Sequence, residues 1–248
     1  MALSDNDHCL LTINTEGFGP LYLFIIMLNK ILQGDCLELM KDIPDKSIDL
    51  ILTDPPYRVI SGGNKHKDGV GWKGSILEKN DGKIFTHNDI KLEQWIPEMY
   101  RVLKDGSHFY TMTNTLNLEN TLKVCRENGF GLHNVLIWKK NNQVLNRWYM
   151  KSIEYILFFY KKPAKKINIV GSSQVLEFNN PRNKLHPTEK PVELMEIMIN
   201  NSTKEGEVVL DPFAGSGTTG LACKNTNRNY ILMEKEQEYI DIINKRLV

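Results

Sequence analysis

A proline-rich turn follows the apolar segment 47–53, and its residue types suit the recognition of a planar amine. The turn reads Asp54-Pro55-Pro56-Tyr57. Two successive prolines fix the backbone and supply no N–H donors, so the carbonyl oxygens stay available as acceptors in a stiff turn. The Asp54 carboxylate and the Pro55 carbonyl could accept both N–H bonds of an exocyclic NH2 group while the Tyr57 ring stacks on its aromatic base. The alternative is a structural proline turn with an incidental aspartate.

A glycine-rich turn between a predicted strand and a predicted helix could hold a nucleotide cofactor. It reads Asp211-Pro-Phe-Ala-Gly215-Ser-Gly217-Thr-Thr-Gly220. Its glycines match G-x-G-x-x-G, in which a backbone without Cβ atoms lets a cofactor lie against the helix N-terminus. Glu234 ends the next predicted strand, where a carboxylate can accept hydrogen bonds from both hydroxyls of a ribose. The alternative is a tight strand–helix turn followed by a surface glutamate.

The length of the chain argues against a nicotinamide dinucleotide at the glycine-rich turn. A mononucleotide-binding half needs a βαβαβ run after the glycines, and each βαβ unit takes about 30 residues. Only residues 221–248 follow the last glycine of the motif. The other strands of the sheet must therefore come from earlier in the chain, which is a circularly permuted order.

The pattern of apolar residues from residue 29 onward predicts the sheet that must position both turns. Short apolar runs alternate with amphipathic segments of helical length, which is typical of parallel βαβ units. We therefore predict one doubly wound α/β domain over residues 29–248, with a mostly parallel, seven-stranded sheet. The predicted strands are 30–33, 47–53, 107–113, 135–138, 153–160, 208–211 and 230–234. The predicted helices are 37–41, 92–103, 118–128, 191–200, 216–223 and 237–246.

The composition is that of an ordinary globular protein and excludes several classes. The chain is 41% hydrophobic and 25% charged, and its net charge of +1 indicates no particular partner. The four cysteines form no CxxC pair, and the six histidines show no metal-ligand spacing. A disulfide scaffold and a metal site are therefore not expected, and free thiols suit a reducing cytosol.

An apolar run of eight residues, 21–28, is the longest in the chain. It is too short for a membrane span, which needs about 20 residues, and it lacks the basic flank of a signal peptide. One interpretation is a helix or strand packed on the domain. The other is that Met27 is the natural start, which would make residues 1–26 an upstream extension. We treat residues 1–28 as an N-terminal extension of the domain.

The two turns together resemble the S-adenosylmethionine-dependent DNA methyltransferases that modify amino groups, which carry D/N/S-P-P-Y/F/W and F-x-G-x-G motifs. The order of the motifs, with DPPY first, is similar to the β-group of that family over residues 29–248. The resemblance implies a Rossmann-like methyltransferase fold and direct in-line methyl transfer to a flipped base, with no metal. DPPY usually marks N6-adenine enzymes in the family. The implied protein is a cytoplasmic, bacterial or phage-encoded, site-specific DNA adenine methyltransferase, either solitary or part of a restriction-modification pair.

The resemblance also implies roles for individual residues. Asp54, Pro55, Pro56 and Tyr57 would hold the target amine. Asp35, which follows Gly34, would receive the amino group of the cofactor's adenine, and Glu234 would bind its ribose. The methionine end of the cofactor would be held by Thr188 and Lys190 of the His186-to-Pro191 block and by Asp211, Phe213, Gly215 and Gly217 of the glycine-rich turn.

A basic segment, residues 139–166, is the predicted DNA-binding surface. It holds eight cations against the single acid Glu154, interleaved with aromatic residues, in a nearly neutral protein. The alternative is a solvated, lysine-rich hairpin. Target-recognition insertions are expected near 58–88 and 139–185. The predicted phosphate contacts are Lys139, Lys140, Arg147 and Lys151, and the other cations of the segment are Lys161, Lys162, Lys165 and Lys166.

Several other functions compete with adenine methylation of DNA. An N4-cytosine methyltransferase is the nearest alternative, and an RNA adenine substrate, a catalytically silent DNA-binding relative and a dehydrogenase are weaker ones. C5-cytosine methylation is excluded, because that chemistry uses the cysteine of a Pro-Cys pair and no cysteine here follows a proline. Double-stranded DNA is the expected partner, with a cognate restriction enzyme and a homodimer as further candidates.

Overall fold

A sheet of eight strands organises the residues that the computed structural model describes, which are 19–56, 90–144, 149–181 and 189–248. The strands are β1 (Lys30–Gln33), β2 (Ile48–Thr53), β3 (Leu103–Thr113), β4 (Gly131–Val144), β5 (Lys151–Tyr160), β6 (Val175–Glu177), β7 (Val208–Asp211) and β8 (Asn229–Glu234). The helices are α1 (Pro20–Met27), α2 (Cys36–Leu39), α3 (Leu92–Val102), α4 (Leu118–Glu127), α5 (Val192–Ser202), α6 (Thr218–Asn225) and α7 (Gln237–Leu247), and a 3-10 turn (Met40–Asp42) follows α2.

The strands are arranged in the order β1-β8-β7-β2-β3-β5-β4-β6. The first five are mutually parallel, and β5 runs antiparallel to both β3 and β4. The prediction of a doubly wound, mostly parallel sheet is therefore confirmed. The short strand β6, which pairs parallel with β4, is an eighth strand that the sequence pattern did not predict.

Pairing that extends into polar sequence lengthens several strands beyond their predicted bounds, most of all β4, and forms the unpredicted β6. Strand β4 was predicted to end at residue 138, but Lys139 pairs with Ile153 and Val144 pairs with Lys151. Strand β6 lies in a segment predicted as a polar connection, and only Leu176 of its three residues is buried. In both places the backbone ladder, and not apolar periodicity, defines the strand.

The permuted strand order places the two motif turns side by side. Strand β7 lies between β8 and β2, with Ile51 of β2 opposite Leu210 of β7. From β7 the chain continues to β8 on one side, whereas from β2 it continues to β3 on the other. In open α/β sheets such a switch point, at the carboxyl ends of the strands, is where ligands bind.

Helices cover both faces of the sheet, which explains why the central strand β2 is buried along its whole length. In β2, Ile48 and Ile51 pack in the core on the side of α1 to α4, whereas Leu50 and Leu52 pack in the core on the side of α5 to α7. The apolar run 21–28 contributes helix α1, which buries Met27. None of the helices in the described ranges is long and apolar enough to span a bilayer.

The predicted basic segment is not one uniform surface. Lys161 is only 4% exposed, and its Nζ donates hydrogen bonds to the carbonyl oxygens of Tyr100 at 2.6 Å and Leu103 at 2.8 Å. Burial lowers the pKa of Lys161, with Asp105 opposing that shift. The expectation that Lys161 contributes to an exposed positive surface is therefore wrong, because its ammonium group satisfies the carbonyls at the junction of α3 and β3.

This arrangement predicts the effect of Lys161→Met on stability. The methionine side chain retains the apolar stem but leaves the carbonyls of Tyr100 and Leu103 without their donor. We expect the free energy of unfolding to fall by about 1–3 kcal/mol, measured by urea denaturation. The matched control is Lys162→Met at the exposed neighbouring position, which should change it by less than about 0.5 kcal/mol. Equal effects of the two substitutions would contradict the assignment.

Candidate active site

The two motif turns are joined by a hydrogen bond between the ends of β2 and β7. Thr53 Oγ1 donates to Asp211 Oδ1 at 2.7 Å. The same carboxylate accepts hydrogen bonds from Thr219 Oγ1 at 2.6 Å and from the backbone N–H of Phe213 at 3.2 Å. Asp211 therefore fixes the start of the glycine-rich turn and the first turn of α6 relative to the residue that precedes Asp54.

Asp54 takes part in a row of alternating charges at this edge of the sheet. Its Oδ2 accepts a short hydrogen bond from Lys190 Nζ, and Lys190 is only 5% exposed. Lys190 Nζ also lies 3.5 Å from Glu154 Oε2. Glu154 Oε1 in turn accepts a short hydrogen bond from Lys140 Nζ, which lies 4.8 Å from the centre of the Trp138 ring.

Burial and the alternating charges set the pKa values in this row. Burial raises the pKa of Asp54, and the negative charge of Glu154 adds to the increase while Lys190 opposes it. Burial alone would lower the pKa of Lys190, but the adjacent carboxylates of Asp54 and Glu154 outweigh it and raise this pKa. Burial would raise the pKa of Glu154, but Lys190 and Lys140 outweigh it and lower this pKa.

One oxygen of the Asp54 carboxylate is left with acceptor capacity. Asp54 Oδ1 is buried and has no hydrogen-bond partner among the residues that the structure describes. Buried carboxylate oxygens are normally hydrogen-bonded, so an unpaired one at the end of a central strand indicates a position that a ligand group fills. A ligand N–H is the complementary donor.

The glycine-rich turn is held against the end of β8. The backbone N–H of Gly215 donates to Glu234 Oε2 at 2.9 Å, and Glu234 Oε1 accepts from the N–H groups of Lys235 and Glu236. Gly215 and Gly217 have φ values of 53° and 76°, which side chains with a Cβ rarely adopt. Burial raises the pKa of Glu234, against the effect of these backbone donors.

The end of β1 lies beside the same carboxylate. The N–H of Gly34 donates to the backbone oxygen of Glu234 at 3.0 Å, which places Asp35 next to the end of β8. Asp35 Oδ1 caps α2 through the N–H of Leu37 at 2.9 Å, and its Oδ2 lies 3.8 Å from Lys235 Nζ. Two carboxylates with remaining acceptor sites thus flank a glycine turn, and these acceptors fit the amino and ribose hydroxyl donors of a nucleoside cofactor.

A buried ion pair that the sequence did not predict contacts the glycine-rich turn. Arg246 Nη1 of α7 lies 2.8 Å from Glu189 Oε1, and both side chains are at least nine-tenths buried. The same nitrogen donates to the backbone oxygen of Ser216 at 3.2 Å. Phe213 packs edge-on against Trp95 of α3 with ring centres 5.3 Å apart. These contacts fix the loop from both faces of the sheet.

The predicted site residues fall into three groups. Asp54, Pro55, Pro56, Asp35, Lys190, Asp211, Phe213, Gly215, Gly217 and Glu234 all lie at the carboxyl ends of the strands or in the segments attached there. Tyr57, Thr188 and Arg147 lie outside the described residues. Of the other predicted phosphate contacts, Lys139 is paired at 3.0 Å with Glu177, Lys140 is paired with Glu154, and Lys151 is exposed.

The structure also identifies residues that the sequence analysis did not single out for the site. In the sequence, Glu154 stood out only as the single acid among eight cations. Glu189 was named only as part of the His186-to-Pro191 block that contains Lys190. The available signal for Glu154 was a lone carboxylate in a strand whose other residues from Ile153 onward are aliphatic or aromatic. Within the described ranges, no group of three or more His, Cys, Asp or Glu side chains is placed to hold a metal ion.

The burial of Asp211 predicts a pH-dependent difference between this chain and Asp211→Asn. Burial raises the pKa of Asp211 to about 6, against the hydrogen bonds from Thr219, Thr53 and Phe213. Because the folded state favours the protonated form, this carboxyl group's contribution to stability is fully present at low pH and is lost as the pH rises through about 6. The amide of the Asp211→Asn variant does not titrate, so its contribution to stability does not change with pH in this range.

Between pH 5 and pH 8, we expect the free energy of unfolding of Asp211→Asn to rise by about 1 kcal/mol relative to that of the unsubstituted chain. Urea denaturation at one-unit intervals measures this difference. The control is Asp42→Asn at an exposed carboxylate, which should show no such gain. A pH-independent difference for Asp211→Asn would show that the carboxyl group does not titrate in this range.

Comparison with known proteins agrees with this geometry. A family model described as a DNA methylase, of the N6/N4 methyltransferases, matches residues 48–245. The type II methyltransferase M.HinfI of Haemophilus influenzae is 33% identical, covering 89% of this chain and 68% of the relative. The type II methyltransferase M2.MboI of Moraxella bovis is 32% identical, covering 87% and 86%.

The fold comparison gives the same result. The crystal structure of the M1.HpyAVI–SAM complex superposes with a TM-score of 0.67 and 30% identity, covering 88% of this chain and 98% of the other. Since the family match spans most of the sequence and agrees with the permuted sheet and both motif turns, the chain belongs to the DNA methylase family of N6/N4 methyltransferases, which are S-adenosylmethionine-dependent enzymes.

Proposed function

We propose that this DNA methyltransferase modifies the N6 amino group of adenine within a specific DNA sequence. The observation that carries the proposal is the buried Asp54 Oδ1, which lacks a partner in the described residues and follows the central strand β2. The DPPY form of the turn supports adenine over cytosine. An adenine amine inside a duplex cannot reach a strand end of this kind, so the base must leave the stack.

The proposed role of Asp54 is to accept an N–H of the target amine. The lone pair of an aromatic amine is delocalised into the ring, and hydrogen bonds from both N–H groups to Asp54 Oδ1 and the Pro55 carbonyl favour a pyramidal nitrogen with its lone pair directed outward. The methylated nitrogen carries one proton too many and is strongly acidic. Asp54 Oδ1 is the atom placed to take up that proton, so a strong base is not required.

The chain's own residues also account for how the cofactor would be held. Glu234 and Asp35 supply acceptors for the ribose hydroxyls and the adenine amino group, and the turn at Gly215 and Gly217 allows close approach of the backbone. When bound, S-adenosylmethionine supplies the activated methyl group. Lys190 lies beside Asp54, so its ammonium group is close to the place where the two ligands would meet.

Truncation of the Asp54 side chain to alanine tests its proposed role directly. We expect Asp54→Ala to lower kcat for methyl transfer at least about 100-fold, because the amine loses its acceptor, while the Kd for S-adenosylmethionine changes less than about threefold. Radiolabelled methyl transfer and calorimetry measure the two quantities. The control is Asp42→Ala, an exposed carboxylate removed in the same way, which should leave both unchanged. Full activity of Asp54→Ala would refute the proposal.

The methylated base itself distinguishes adenine from the alternatives. We expect a methylation-free host that expresses the chain to accumulate N6-methyladenine in one sequence context, read by single-molecule sequencing of its DNA. Digestion to nucleosides and mass spectrometry identify the base independently. N4-methylcytosine without N6-methyladenine would refute the adenine assignment. Cofactor binding without methylation of DNA or structured RNA would favour a silent DNA-binding relative.

Lys151 is one of two predicted phosphate contacts that the described residues show exposed, and the other is Lys139. If Lys151 neutralises one phosphate, Lys151→Met should weaken DNA binding to all sequences and reduce the slope of log K against log salt by about 1. Fluorescence anisotropy at several salt concentrations measures the slope. The control is Lys245→Met on α7, also exposed, which should leave the slope unchanged. Equal salt-dependence slopes for Lys151→Met and Lys245→Met would show that Lys151 does not contact a DNA phosphate.

A further inference from the structure

Glu154 is an unusual residue for its position in the fold. It stands in β5, where the following residues Ile156 to Phe159 are buried and apolar. Its carboxylate is largely covered, with the side chain 19% exposed. A carboxylate at such a position is normally retained only where charged partners surround it.

The partners of Glu154 connect it to the proposed catalytic carboxylate. Its Oε1 accepts a hydrogen bond from Lys140, and its Oε2 lies 3.5 Å from the Nζ of Lys190. Lys190 donates to Asp54 Oδ2 from its other side. The ammonium group of Lys190 is therefore held between two carboxylates that come from different strands, β2 and β5.

This geometry explains why Asp54 presents one oxygen that has no hydrogen-bond partner among the described residues. Lys190 occupies Oδ2, so the carboxylate is oriented with Oδ1 available for a ligand N–H. Without Glu154, a single carboxylate would have to balance a cation that is 95% buried, since Lys190 is 5% exposed. Lys140 completes the row, so two cations face two anions and the buried cluster carries no net charge.

We propose that Glu154 is a positioning residue for methyl transfer, which holds Lys190 against Asp54 Oδ2 and thereby orients Asp54 Oδ1 toward the target amine. The proposal rests on the function proposed above and adds a residue from outside both motif turns. It assigns Glu154 no contact with either substrate. Its effect is transmitted through Lys190.

The alternative is that Glu154 only stabilises the fold. Buried ion pairs are weak contributors to stability, because desolvation offsets most of their attraction. Glu154 Oε2, the oxygen that faces Lys190 at 3.5 Å, also lacks a hydrogen-bond partner in the described part of the chain, so Glu154 acts on Lys190 through its charge. The two roles differ in what happens to Asp54 when the charge of Glu154 is removed.

Two substitutions test the proposal, one that removes a negative charge and one that removes a positive charge. The charged groups around Asp54 are Lys190, Glu154, Lys140 and the Asp211 carboxylate of β7. Glu154→Gln keeps the shape of the side chain and removes a negative charge that raises the pKa of Asp54. Lys140→Met removes a positive charge that lowers it. A general loosening of the fold would not move the same group in opposite directions.

The expected result is a change in turnover together with a change in the titration of Asp54. Glu154→Gln should lower kcat about 10-fold or more while KM for DNA and for S-adenosylmethionine changes less than about threefold. The acidic limb of its kcat–pH profile should move about 0.5 pH unit or more to lower pH, and that of Lys140→Met should move to higher pH. The exposed Glu119→Gln on α4 should match the unsubstituted chain in both readouts.

A readout that does not depend on activity separates this proposal from the proposed function. Carboxyl carbon resonances of aspartate-labelled protein, with Asp54 assigned by its loss in Asp54→Ala, report the pKa of Asp54 in each variant. An inactive unsubstituted chain would overturn the proposed function, whereas the titration would still test the coupling. An unmoved Asp54 titration in Glu154→Gln, an unchanged kcat, or a loss of kcat explained by unfolding in a thermal melt would each overturn the positioning role.

Discussion

The hydrogen bond between Thr53 and Asp211 joins two parts of the chain that are 158 residues apart in sequence. It forms because β2 and β7 are parallel neighbours whose carboxyl ends meet at one edge of the sheet. The proposed function needs both turns, since one presents Asp54 and the other presents the glycine backbone. The rest of the site extends outward from this contact, through Lys190 on one side and Glu234 on the other. The permuted strand order is therefore the constraint on which the site depends.

Much of this arrangement could be predicted because its signals are local. The proline pair at Pro55 and Pro56 and the glycines at Gly215 and Gly217 define stiff turns in any context. Six of the seven predicted strands precede the glycine turn, and that order indicates permutation. The neighbouring positions of the two turns then follow from the rule that ligands bind at a switch point of an open sheet.

The parts that were missed depend on contacts that form only when the chain has folded and the strands have paired. Glu154 lies opposite Trp138 in the antiparallel ladder of β4 and β5, so its partner Lys140 becomes a neighbour only when that register is formed. By charge alone, Lys140 and Lys161 look like DNA-binding residues. Their ammonium groups are instead bound to a carboxylate and to backbone carbonyls. A count of charges along a segment cannot distinguish a surface cation from a buried one.

The charged residues around Asp54 cost the fold free energy, and this cost indicates that they serve a function. Lys190, Asp54, Glu154 and Lys140 place four ionisable groups where apolar side chains of similar volume would fold at least as well. Asp54 Oδ1 adds a buried acceptor with no partner in the described residues, and an unmet acceptor of this kind lowers stability in the absence of a ligand. The glycine turn, in contrast, is fully braced by Glu234 and by the Arg246–Glu189 ion pair. The side proposed to hold the cofactor is thus prebuilt, whereas the side proposed to hold the target base keeps a carboxylate oxygen without a partner in the described residues. In the proposed function, binding of the amine would supply that missing hydrogen bond, so part of the energy for drawing a base out of its stack would come from the fold itself.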